Sequence, residues 1–190
     1  MRAAALIAGG AIALAAWFAP VATPLWPFAD HMARHMAVVA LAAPLLAIGL
    51  PHRLSAALPH VPVLPATLAE FVTVWGWHLP AAHAAAQTST VWFAVQHACF
   101  LAVGLALWRS ALAPGRALAG AGGMLLTSMH MTLLGALLIL ATRELYPSGI
   151  CGGPADQQLG GMLMLGIGTP IYLMAGLALT ARALAEERPA

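Results

Sequence analysis

The side chains with most chemistry to offer are imidazoles and thioethers. The chain holds eight histidines and nine methionines against six carboxylates. The segment His31-Met32-Ala33-Arg34-His35-Met36 repeats a His-Met pair at i and i+4. On a helix this spacing stacks the two imidazoles on one face and the two thioethers on the adjoining face. Met129-His130-Met131 sets a thioether on either side of another imidazole, and His78 and His97 add two further rings. Imidazole with thioether suits Cu(I), a soft ion, whereas calcium and magnesium want oxygen cages that the scattered carboxylates do not supply. The candidate metal ligands are therefore His31, His35, His78, His97 and His130 with Met32, Met36, Met129 and Met131.

The elements that must position these groups are membrane helices. The chain is 62% hydrophobic and 7% charged, too little charge to cover a soluble domain of 190 residues with a polar shell. Apolar runs long enough to approach or cross a bilayer fall near residues 3–19, 31–50, 63–79, 89–108, 117–141 and 156–181. The breaks between them carry Pro and Gly, as in Pro20 to Pro24, Pro51 to Pro62, Pro80, Pro114-Gly115 and Tyr146 to Pro154. The expected fold is an all-α polytopic membrane bundle of about six transmembrane helices in one domain spanning 1–190. The first run reads as a retained helix rather than a signal peptide, because Pro20 and Pro24 interrupt the place for a cleavage site. Pro44 and Pro170 lie inside runs and predict kinks. Gly120-Ala121-Gly122-Gly123 and Gly160-Gly161 suit close helix packing in lipid.

Arginine placement orients the bundle. Arg2, Arg53, Arg109, Arg116, Arg182 and Arg188 fall at one end of the helices, and Arg34 and Arg143 at the other. The positive-inside rule puts the first group, and both termini, in the cytoplasm. In that frame His31, His35, His78 and His83 lie at the outer side. His97 and His130 lie deeper, at roughly 12 and 16 Å from the outer helix ends at 1.5 Å per residue. Ionisable side chains at such depth are rare and mostly functional. Glu70 falls near the middle of its helix, on roughly the face of His78.

Plainer roles suit other residues. His52 and His60 read as solvated loop residues and His83 as an interfacial one. Met162 and Met164 read as packing, Cys99 as an inert thiol, and Arg34 as snorkelling to the interface. Two cysteines without C-x-x-C spacing give neither a disulfide framework nor a zinc site. No basic cluster suggests nucleic acid. No nucleophile constellation suggests an enzyme, since Ser128 lies two residues from His130 and faces elsewhere on a helix.

Four stretches carry a resemblance: HMARHMAVVALAAPLLAIGLP from His31 to Pro51, WHLP from Trp77 to Pro80, QHACFLAVGLALW from Gln96 to Trp108, and DQQLGGMLM from Asp156 to Met164. In order and spacing they resemble the CtaG-type cytochrome c oxidase assembly factors. The resemblance implies a bacterial plasma-membrane protein that helps mature the copper centre of a haem–copper oxidase by supplying copper. Its partners would be an oxidase subunit and a periplasmic copper donor. Two other readings stay open. One is a b-type haem protein with His97 and His130 as axial ligands. The other is a small proton or metal transporter built around Glu70 and the histidines.

Overall fold

The computed structural model describes residues 1–20, 25–146 and 149–186. Parts of the breaks at Pro20–Pro24 and Tyr146–Pro154, together with Arg188, lie outside them, and so does the side chain of His52. The described residues form α1 (Arg2–Phe18), α2 (Pro27–Gly49), α3 (His52–Ala57), α4 (Val63–Trp77), α5 (Pro80–Thr88), α6 (Thr90–Ala111), α7 (Ala117–Leu140) and α8 (Pro154–Glu186). The fold is an all-α membrane bundle. Helices α2, α6, α7 and α8 are long and apolar enough to cross a bilayer, and α1 and α4 are shorter apolar helices. The six expected runs are all helical, and the short helices α3 and α5 lie in two of the breaks between them.

Proline starts several of these helices. Pro27, Pro80 and Pro154 each stand in the first turn, where a missing N–H costs nothing and the fixed φ favours the helix. Gly153, just before Pro154, takes φ +110°, a conformation that a side chain would strain. The kinks expected at Pro44 and Pro170 take a specific form: a π-helical stretch over Ala37–Ala42 in α2 and another over Met164–Gly168 in α8. A proline ring clashes with the carbonyl four residues back. Those carbonyls belong to Ala40 and Gly166, each inside its π stretch, where the wider turn relieves the clash. Tyr172 then donates its hydroxyl to the Val39 carbonyl at 3.0 Å, within the first π stretch.

Helix α2 is central, packed against α1, α6 and α8, while α4 lies on α6 and α7, and α7 on α8. Lipid gives helices little hydrophobic reason to associate, so close approach of small residues matters most. A Cβ on Gly161 would stand 2.7 Å from the Gly135 carbonyl oxygen, so α7 and α8 touch backbone to backbone there. The outward faces carry apolar side chains such as Ile7, Leu118, Leu140 and Met174. Trp108 is buried against Tyr172, with ring centroids 5.4 Å apart.

Candidate functional site: a buried histidine and methionine cluster

The first turn of α2 is held from the far end of the chain. Asp156, fully buried, accepts hydrogen bonds from the backbone N–H groups of Phe28 and Ala29, each at 2.9 Å, and of Gly152 at 2.8 Å. A carboxylate here satisfies donors that no helical carbonyl can reach and faces the positive end of the helix dipole. Gln157 accepts from Leu145 N–H at 2.8 Å and donates to the Leu138 carbonyl at 3.2 Å, tying in the connection before α8. Arg34 does more than snorkel: it pairs with Asp30 at 2.7 Å and caps α1 through the carbonyls of Ala16, Ala19 and Pro20.

On that anchored turn His31 and His35 stand one above the other, ring centroids 4.2 Å apart. Three more imidazoles converge on them. His83 of α5 lies 4.8 Å from His31, His97 of α6 lies 5.5 Å from His35, and His78, at the end of α4, lies 5.5 Å from His35. All five are buried, as are Met32, Met36 and Gln96. Phe28, Phe93, Phe100 and Tyr146 wall the group, and the Tyr146 hydroxyl donates to the His78 carbonyl at 2.9 Å. A cavity of about 400 Å³ reaches His31 from the side of α1 and α5, lined also by Trp17, Asp30, Arg34 and Thr88.

The tautomers of two rings follow from their partners. The Nδ1 atoms of His78 and His97 lie 2.6 Å and 3.0 Å from the carbonyls of Val74 and Phe93, each four residues back. A carbonyl only accepts, so each Nδ1 carries the proton. In the neutral ring the lone pair is then on Nε2. His78 Nε2 faces Met32 Sδ at 3.4 Å, so a nitrogen and a sulfur donor point at one another. His97 Nε2, His31 Nε2, both ring nitrogens of His35 and His83, and both amide atoms of Gln96 are buried without a hydrogen-bond partner. Each such group costs about 1–3 kcal/mol, and folded proteins keep only a few. A concentration of them in one place is expensive as mere packing. Outside the membrane spans, burial pushes His83 down to about 3, with His78 nearby adding to the effect, so that ring is neutral. The cluster is thus a set of soft and borderline donors, imidazoles and thioethers, with no carboxylate among them. As they stand, no three His, Cys, Asp or Glu side chains among the described residues are placed to hold a metal ion. One donor pair is in direct contact, His78 Nε2 with Met32 Sδ at 3.4 Å.

Of the expected ligands, the structure brings together His31, His35, His78, His97 and Met32. Met36, one turn further along α2, is equally buried but sets its sulfur against Gly168. His130 is elsewhere. Its Nε2 lies 3.2 Å from Glu70 Oε2, which also accepts from Thr127 at 3.0 Å, and its ring packs on Phe71. Met131 is buried in the core, while Met129 is 68% exposed on the outer face of the bundle. Successive helical residues lie about 100° apart, so Met129, His130 and Met131 cannot share one direction. Glu70 accordingly serves His130 rather than His78. The two rings proposed as axial haem ligands do not face one another, since His130 turns its Nε2 to Glu70 and His97 stands among the other histidines.

Sequence reasoning missed His83 and Gln96. Pro80 was read only as a break. As the first-turn residue of α5 it starts a helix that carries His83 inward. Gln96 precedes His97 and is as fully buried; its sequence signals are a polar residue inside an apolar run and its place at the head of the Gln96–Trp108 stretch, neither of which marks it as a site residue.

The bundle defines a polytopic membrane protein that buries a cluster of histidines and methionines between its helices. Over residues 1–186 the chain matches the family described as cytochrome c oxidase caa3 assembly factor, and it belongs to that family. It is therefore a cytochrome c oxidase assembly factor, with an oxidase as its partner in the general sense that the family implies. No curated protein and no solved structure matches it.

Proposed function

We propose that this assembly factor carries Cu(I) as cargo and passes it to the copper centre of a haem–copper oxidase. The observation that supports this most is the pairing of His78 Nε2 with Met32 Sδ, inside a ring of four further imidazoles. Two lone pairs at 3.4 Å repel unless a proton or a cation lies between them, and Nδ1 already holds the neutral ring's proton. Cu(I) accepts nitrogen and thioether ligands. It is also monovalent, so burying its charge in this dry setting costs less than burying that of a divalent ion. Neutral ligands hold it without a fixed counter-charge, and ligand exchange along His31, His35 and His78 lets it move without a change of oxidation state.

In this reading the protein sits in the bacterial plasma membrane with both termini in the cytoplasm, and a periplasmic donor loads it through the cavity at His31. The protein is not an enzyme; it binds and hands over. Copper analysis of the purified protein tests the reading. We expect bound Cu(I) in the wild type, its loss in His35→Ala and Met32→Leu, and its retention in His130→Ala. A copper-free wild type, or full copper in both cluster variants, overturns the assignment. Deleting the gene should leave the oxidase with haem but without copper.

A further inference from the structure

The end of the bundle opposite the buried histidine cluster holds a second cavity, of about 450 Å³, which the copper reading does not use. Its polar lining is cationic or neutral: Arg2 from the start of α1, Arg109 from the end of α6, His60, and the hydroxyl-bearing Ser55 and Ser110. Among the described residues no carboxylate lines it. Its other wall is apolar, formed by Ile48 and Leu50 at the end of α2 with Leu112.

Arg109 is built into this place. One of its terminal nitrogens donates to the Ser55 carbonyl at 2.7 Å, while its Nε is buried without a partner. Ser110 donates to the Val61 carbonyl at 2.6 Å, so the connection after α3 is pinned over the cavity. A guanidinium with an unused buried donor, in a cavity that a second arginine also lines, asks for an oxyanion, and its planar fork suits phosphate. The apolar wall next to it asks for a hydrocarbon. Basic pockets between helices at the arginine-rich end of membrane proteins take lipid head groups in this way.

We infer that this cavity binds a phosphoryl anion, presented by an acidic phospholipid whose acyl chains lie along Ile48 and Leu50. The site belongs to the Arg-rich end and is independent of copper.

The test is lipid retention. Purified wild-type protein in neutral detergent is titrated with phosphatidylglycerol, phosphatidylcholine or inorganic phosphate and followed by native mass spectrometry and thermal unfolding. Phosphatidylglycerol should bind and protect in preference to phosphatidylcholine. Arg2→Gln, which removes an exposed side chain without a structural hydrogen bond, should weaken that preference about fivefold, the value of one cation near an anionic head group. Arg2→Gln with Arg109→Gln should remove it, and Arg109→Lys should restore part. Protection by inorganic phosphate alone, equal to that by phosphatidylglycerol and sensitive to the same variants, supports the phosphoryl site with free phosphate as its source. Equal retention of both lipids without a phosphate effect, or a preference unchanged in the double variant, overturns the proposal.

Discussion

Substituting Asp156 tests how the site is held, because this side chain lies far along the chain from the histidines it supports. Its carboxylate accepts three backbone N–H groups, two of them on Phe28 and Ala29, which are buried. In Asp156→Ala the exposed Gly152 N–H turns to water, while those of Phe28 and Ala29 keep no partner. Two orphaned donors at about 1.5 kcal/mol each, with about 0.5 kcal/mol for the charge at a helix N-terminus, make the loss about 3.5 kcal/mol. That is a factor of about 300 in the folding constant. For a chain of this length it lowers Tm by roughly 7–14 °C. Asp156→Asn keeps one acceptor oxygen but turns an NH₂ toward a donor, and should fall about halfway. The assay is thermal unfolding in detergent micelles, paired with hydrogen exchange of the amides from Phe28 to His35. Exchange should quicken there first, because His31 sits one turn inside the uncapped end. A Tm within about 1 °C of wild type would refute the energetic argument. A lowered Tm with unchanged exchange in α2 would refute the claim that the carboxylate acts through the His31 turn.

Other perturbations separate packing, the deep polar pair and the titrating ring. Gly160→Val places a Cβ 2.5 Å from a Phe28 ring carbon and 3.0 Å from Met32 Cγ, so α2 and α8 must part. It should cost about 1–3 kcal/mol by melting, whereas Gly166→Ala, whose Cβ meets nothing within 4 Å, should stay near wild type. Glu70→Leu strips Thr127 and His130 of their shared acceptor and should cost about 1–3 kcal/mol, yet leave copper retention unchanged; loss of copper with an intact fold would place Glu70 in the metal site instead. His83 stays neutral in the folded chain down to about pH 3, but its unfolded value is near 6.5. The unfolded chain therefore binds the extra proton, and stability present above about 6.5 is lost as pH falls toward 3, by up to about 1.4 kcal/mol per unit. Melting curves between pH 7.5 and 5 should fall less steeply for His83→Phe than for wild type; parallel curves would rule this out.

What could be read from the sequence depended on where each residue finds its partner. Helix positions were legible, because apolar runs and proline breaks mark spans without reference to anything else. The His31–His35 pair was legible for the same reason, as both members sit on one helix four residues apart. Facing was not legible on α7. Apolar residues surround that helix, so no amphipathic stripe shows which side meets lipid, and Met129 and His130 could not be told apart in direction. The kinks at Pro44 and Pro170 could be expected from the rings, but their π form depends on where the displaced carbonyls turn, and for the first stretch a Tyr172 hydroxyl more than a hundred residues away supplies the bond to Val39.

Long-range partners also decide how the site is completed. Forming α2 stacks His31 and His35 at once. His78, His83 and His97 join only when α4, α5 and α6 have docked, and the α2 end is capped only when Asp156 arrives with α8. The donor cluster is therefore assembled from the whole span between residues 28 and 156 and cannot form within any one helical hairpin. The proposed copper cargo fits this order, because the donors converge only once the bundle is closed around them; on that proposal, Asp156→Ala should lower copper retention in the purified protein although residue 156 touches no donor of the cluster.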